Sequence, residues 1–263
     1  MEAILPPLFL CMKYTYYSGC FGGRVVCLGL RHPETAVRFG GFLDTCPLTE
    51  ATAEAACVPA EALRDWECNT GLPVGASAEF SLAAYSVSDA LLPHEACVFH
   101  AAALYYRARA WLFAAESGTG KSTQLANWMK LYPEDGSRIM NGDKPVLGVT
   151  EKGTVEVCPS PWRGKEGWGD DSTTAPLGGV ILLRQGREDR LAKADPFRSA
   201  ARLLSCFFSR FETEEAVRGT CGIEDKILRT VPVWELVNTG GYASTELIRG
   251  AIEKETENDF PQG

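Results

Sequence analysis

Between an apolar run at residues 110–115 and a stretch of helical periodicity at residues 122–132 lies Ala115-Glu116-Ser117-Gly118-Thr119-Gly120-Lys121-Ser122-Thr123. This is the phosphate-loop pattern G-x-x-x-x-G-K-[ST] with Ala115 in place of the first glycine. Its G-x-G-K-[ST] core arises by chance in roughly one sequence in a hundred of this length, and a setting between a strand and a helix narrows that further. Gly118 and Gly120 allow backbone conformations that turn successive N–H groups toward one point, and a helix beginning at Ser122 adds the positive end of its dipole. Residues 116–123 therefore read as an anion cradle, in which Glu116, Ser117, Thr119 and Thr123 contribute main-chain groups. Lys121 brings a compact charge to the β- and γ-phosphates, and the Ser122 hydroxyl is placed to ligate Mg²⁺. A glycine turn ahead of a helix with a solvated lysine is the plainer alternative.

The rest of the chain fits around such a loop. Its 263 residues are 45% hydrophobic and 23% charged, enough for one large domain or one domain with a smaller companion and no need of disulfide or metal staples. The formal net charge of -8 argues against a general phosphate-backbone binder or an anionic-membrane surface, so neither nucleic acid nor membrane is expected as a partner. Apolar runs at residues 3–12 and 108–115 are too short or too interrupted to span a bilayer. Glu2, Pro6 and Pro7 do not suit a secretory leader. The ten cysteines contain no Cys-x-x-Cys pair, and we expect reduced thiols in a cytoplasmic protein.

Periodicity divides the chain near residue 95. Residues 1–95 are expected to form a small α+β domain, with a first strand in residues 1–16, another at 24–31, helical stretches at 50–57 and 61–66, and a helix at 79–92 stopped by Pro93. Residues 96–263 are expected to form an α/β P-loop domain, a mixed sheet with flanking helices. Strands are expected at 97–106, 110–115, 138–140, 146–149, 154–158, 179–183 and 231–237, and helices at 122–132, 196–208, 214–228 and 244–253, with a frayed tail after Lys254. Residues 159–174, rich in Gly, Pro, Trp and charge, read as an exposed loop.

A metal-bound nucleotide needs a carboxylate at the end of a neighbouring strand, and Asp143, after the strand at 138–140, is the nearest downstream of Lys121. It would hold Mg²⁺ or take the proton of an attacking hydroxyl; its spacing does not choose, and an Asn-Gly-Asp turn is the alternative. Arg163 and Lys165 lie in the 159–174 loop, where cations would offset charge developing on the γ-phosphate. A solvated loop serves as well, although Trp162 and Trp168 suit a packed one. His100 is either a site residue or a satisfied core histidine.

With these residues in place, the region from His100 onward resembles the HPr kinase/phosphorylase catalytic domain, in the phosphoenolpyruvate carboxykinase-like group of P-loop proteins. The resemblance rests on His100 opening a hairpin strand, on residues 117–122, on Asp143, on Pro161-Trp162-Arg163-Gly164 and on the run at 231–236. That family carries a second aspartate where Gly142 stands and a metal-binding glutamate where Pro161 stands; Glu166 is close enough in sequence to substitute. The resemblance implies ATP and Mg²⁺ as cofactors, with Ser122, Asp143 and Glu166 toward the metal. With the two loop cations, the expected catalytic set is Asp143, Lys121, Arg163, Lys165 and His100. The acceptor the resemblance implies is a serine of a small protein or peptide, or free serine, and self-association is left open. A nucleotide-binding accessory protein that has lost catalysis is the alternative. Decarboxylation of a small oxoacid lacks its own substrate- and metal-binding signature.

Overall fold

The computed structural model describes residues 14–44 and 55–258. The lead-in at 1–13, most of the helical stretch expected at 50–57, and Cys11 and Cys46 therefore lie outside the described residues.

The first strands, β1 (Thr15–Phe21) and β2 (Arg24–Leu30), form an antiparallel hairpin. Its two-residue turn has φ of 56° at Gly22 and 76° at Gly23, conformations that glycine adopts at little cost and that match the strands' twist. A short β3 (Ala56–Cys57) runs parallel to β2, where helical spacing is expected. Cys57 follows its pairing with Gly29 rather than local propensity. Helices α1 (Pro33–Phe39), α2 (Ala60–Thr70) and α3 (Ala76–Leu91) complete this part. The fully buried Glu79 carboxylate accepts from Arg31 N at 2.7 Å, His32 N at 3.0 Å and Thr35 Oγ1 at 2.7 Å, which ties α3 to the start of α1.

From residue 96 a nine-stranded mixed sheet takes over. The run expected as one strand at 97–106 is two, β4 (Ala96–Val98) and β5 (Ala101–Tyr106), with His100 at the break. β6 (Arg109–Ala114), β7 (Arg138–Asn141), β8 (Val146–Val149), β9 (Val155–Cys158) and β10 (Ala175–Gln185) give the order β4-β8-β9-β10-β6-β5-β7. β12 (Val233–Asn238) runs parallel to β10 and carries β11 (Arg190–Lys193) on its other side. β10 is eleven residues long because its ends serve different partners, β9 at Ala175 and β12 from Val180 onward.

Alternation along the central strands feeds two cores. Trp111, Phe113, Ile181 and Leu183 face α4 (Lys121–Leu131) and α7 (Tyr242–Asn258), whose Leu125, Trp128, Ile248 and Ile252 are buried with them. Leu112, Ala114, Val180 and Leu182 face α5 (Pro196–Leu204) and α6 (Glu214–Thr230) through Leu203, Ile223 and Ile227. The tail expected to fray after Lys254 continues as α7 to Asn258, with Ile252 and Thr256 buried. α5 is shorter than expected because the chain leaves the helix to place Phe207 edge-on against Phe99, ring centroids 5.1 Å apart.

The loop at 159–174 is not simply exposed. Trp162 is 3% exposed. It stacks on Phe21 at 5.9 Å, meets Phe39 edge-on at 5.6 Å and donates from Nε1 to Phe80 O at 2.8 Å. This third core joins residues of β1, α1 and α3 to Val146 and Cys158 of the large sheet. Among the described residues no helix is long and apolar enough to cross a membrane, and eight cysteines are unpaired.

Candidate active site

Strand register assembles the site. Ala101 pairs with Ala114 and Ala103 with Asn141, so the start of β5 and the ends of β6 and β7 lie at one edge of the sheet. Leu182 pairs with Ala114, which brings the end of β10 to the same edge. The glycine loop leaves β6 there, His100 enters β5 there and Asp143 follows β7 there. Open sheets of this kind bind ligands at the carboxyl ends of their strands.

The loop has the backbone that its glycines foretell: φ is 81° at Gly118 and 110° at Gly120, left-handed values that oppose any side chain. A Cβ on Gly120 would lie 3.3 Å from Asn238 Oδ1, so the loop rests on the end of β12. Gln185 Nε2 donates to Gly118 O at 3.1 Å. Behind the loop, buried Gln124 donates to Ser244 Oγ and accepts from Thr245 Oγ1, both at 2.8 Å, fixing α4 against the start of α7. Ser117 and Gly118 are exposed at the loop tip, and the Ser122 and Thr123 side chains are at least partly open.

Lys121 is buried, and its ammonium contacts Ala115 O at 2.7 Å, Glu116 O at 3.2 Å and His100 Nε2 at 3.2 Å. Burial lowers its pKa, against the nearby Asp143 carboxylate, which raises it. His100 is anchored by its main chain, N donating to Cys206 O at 2.7 Å, and its Nε2 lies 3.4 Å from Asp143 Oδ1. Lys144 binds the other Asp143 oxygen and sits 5.1 Å over the Phe208 ring. Burial works to raise the Asp143 pKa, but hydrogen bonds from His100 and Lys144 and the Lys144 charge win and bring it down to about 2. Asn141 shapes the turn, its Oδ1 accepting from Asp143 N at 2.9 Å and Lys144 N at 2.8 Å, an Asx arrangement. The expected Asn-Gly-Asp turn is therefore present, and it holds Asp143 beside His100.

A cavity of about 720 Å³ covers the glycine loop. His100, residues 114–119 and Cys206 line it, together with Arg184, Gln185, Arg202 and Glu235. The last four were not singled out from sequence. Arg184 and Gln185 are the exposed end of an otherwise buried strand, a signal readable only once β10 is known to end there. Arg202 reaches in from α5, held by Glu235 at 3.0 Å and Leu183 O at 3.0 Å.

Arg163 and Lys165 stand elsewhere. They line a neighbouring cavity of about 670 Å³ together with Asp143 and Lys144, and not the one over the glycine loop. Arg163 packs over Gly169 and binds Asp171, and the segment is pinned because Gly142 N donates to Trp168 O at 2.9 Å. Gly142 itself admits no side chain: an added Cβ would lie 2.5 Å from Arg163 O. Glu166 is exposed; a Cβ on Gly164 would lie 3.5 Å from its Oε2 and 3.0 Å from Asp143 Cβ, which places Glu166 in the neighbourhood of Asp143.

Ser122, Asp143 and Glu166 are the residues expected toward Mg²⁺; among the described residues no group of three or more acidic, His or Cys side chains is placed to hold a metal ion.

Fold and edge together define a mixed α/β protein in which a glycine loop and a carboxylate meet at one end of a large sheet. No family model and no curated protein matches the chain. Among solved structures it is similar to the Hpr(Ser) kinase/phosphatase from Coxiella burnetii, at 12% identity and a TM-score of 0.33, over 63% of this chain and 99% of that one.

Proposed function

We propose that the chain transfers the γ-phosphoryl group of ATP to a hydroxyl, a serine of a small protein or peptide or free serine, in the cytoplasm. The observation that carries this reading is the contact series Lys121, His100, Asp143: a buried ammonium under a glycine loop stands one imidazole from a carboxylate. The loop amides and Lys121 would hold the triphosphate. Ser122, with Glu166 nearby, would hold Mg²⁺, which when bound would neutralise charge on the β- and γ-phosphates, and Asp143 would face the acceptor instead of the metal.

In the reaction the acceptor oxygen forms a bond to the γ-phosphorus as the bond to the β–γ bridging oxygen breaks and leaves with ADP. The hydroxyl proton passes by way of Asp143 to water. A carboxylate with a pKa of about 2 is a weak base. Asp143 therefore serves chiefly to orient the hydroxyl, which suits a loose transition state that asks for positioning more than early deprotonation. Arg184, at the cavity wall, would supply positive charge to the phosphates, whereas Arg202 is already paired with Glu235.

One observation favours the second reading, a nucleotide-binding accessory protein. Gly142 leaves no room for a second aspartate, and Lys144 occupies the one that is present. Incubating the protein with [γ-³²P]ATP and serine-bearing acceptors decides between the two. Label on an acceptor, lost in Lys121→Ala and Asp143→Asn, supports the kinase; nucleotide binding with neither transfer nor hydrolysis supports the accessory protein.

A further inference from the structure

Asp143 stands at a partition. His100, which it touches, lines the cavity over the glycine loop, while Asp143 lines the second cavity. A hydroxyl that reaches Asp143 without displacing nucleotide must come through that second space. The opposite wall is built by residues 38–42 and Phe80, from the part of the chain ahead of the large sheet.

The lining is unusual in charge. Arg38, Lys144, Arg163 and Lys165 face Asp143 and Asp171. Lys144 already binds Asp143, and Arg163 already binds Asp171. Both carboxylates are thereby neutralised, and Arg38 and Lys165 make no ion pair among the described residues. Arg38 lies over the Phe80 face, 5.9 Å from its ring centroid. Four cations line the cavity against two carboxylates, with the Glu166 carboxylate at its margin, so the lining stays net positive on a chain of net charge -8. The volume, about 670 Å³, suits a small molecule or a short peptide segment. The wall beneath is rigid, because Trp162, Phe39 and Phe80 pack against one another.

We propose that this second cavity receives the phosphoryl acceptor, and that the acceptor carries an anionic group, held by Arg38 and Lys165 while its hydroxyl faces Asp143. This rests on the phosphoryl-transfer reading and adds to it the charge of the acceptor and a role in choosing it for the segment ahead of the large sheet. The anionic group belongs either to a small hydroxy acid or to acidic residues flanking a serine in a peptide.

Two matched pairs of probes test it by calorimetry on the full chain: L-serine against L-serinamide, and an acetylated serine peptide with aspartate flanks against the same peptide with asparagine flanks. The acidic member of at least one pair is expected to bind roughly three- to tenfold more tightly, the range for exposed, screened cations. The pair that shows the preference identifies the source of the anion. The preference is expected to vanish in Arg38→Ala/Lys165→Ala and to reverse in Arg38→Glu, both substitutions at exposed positions. Equal binding within both pairs, no binding by either, or a preference that survives in the double variant overturns the proposal. ATP with Mg²⁺, titrated separately into the wild-type protein, reads the glycine loop. Heat from ATP with no preference among the probes sinks the anionic acceptor and leaves phosphoryl transfer standing, whereas no heat from ATP sinks the reading beneath it.

Discussion

His100 Nε2 lies 3.4 Å from Asp143 Oδ1, and the same nitrogen lies 3.2 Å from the Lys121 ammonium. One ring nitrogen can donate to the carboxylate or accept from the ammonium, never both at once. His100 therefore couples the loop lysine to the carboxylate, and the two contacts compete for it. For His100→Ala we expect kcat to fall roughly 10²-fold through loss of the contact that orients Asp143, while Lys121 keeps its two carbonyl partners. The KM for ATP should change by less than about threefold. Equal losses in both constants would mean that His100 only shapes the loop.

Asp143 makes stability depend on acid. Its pKa in the folded chain, about 2, lies below the ordinary 3.8. The folded state thus binds fewer protons there, and the contribution is present above about pH 4 and is lost as pH falls through 2. Asp143→Asn should flatten the stability profile between pH 4 and 2, as followed by urea denaturation at fixed salt. An unchanged slope would show that the contacts from His100 and Lys144 do not hold the carboxylate in its ionised form.

Gly142 should tolerate no replacement. A methyl group there meets the Arg163 carbonyl at 2.5 Å, and backbone cannot swing aside as a side chain can. Gly142→Ala should cost about 1–3 kcal/mol, read as a lower melting temperature, and Gly142→Asp at least as much. A stable Gly142→Asp variant would mean that the 159–174 segment is free to lift.

Trp162 ties that segment to the core built by β1, α1 and α3. Trp162→Ala should destabilise by about 3–5 kcal/mol. Trp162→Phe keeps ring packing but abandons the Nε1 bond to Phe80 O, and should cost about 0.5–1.5 kcal/mol beyond its lost area. Thermal denaturation followed by circular dichroism separates the two.

Much of the candidate site's geometry was legible because its signals are local. Gly118, Gly120 and Lys121 announce themselves by spacing, and Asp143 by following a strand. The strands of β6 and β10 were readable as buried runs, though β10 proved twice as long as its apolar centre because Pro176 and Arg184 still pair at its ends. What escaped the sequence depends on register between distant strands. Nothing near Arg202 or Arg184 points to a glycine loop; β10 ending beside β6 does. Arg163 and Lys165 were expected over the γ-phosphate; the structure places them around the second cavity with Asp143, where burial of Trp162 among Phe21, Phe39 and Phe80 anchors their segment, a placement no local spacing announces. The strand at Cys57 escaped because two residues have no period, and only pairing with Gly29 defines them.

The most direct measurement is calorimetric titration of ATP with Mg²⁺ into the wild-type chain and into Lys121→Ala. Lys121 under a positive-φ glycine loop should give a one-to-one heat of binding that weakens roughly 10²-fold or more when the ammonium is removed, the scale of a lost charge-bearing phosphate contact. Absence of binding to the wild type, or equal affinity in both proteins, would contradict a triphosphate seat at this loop.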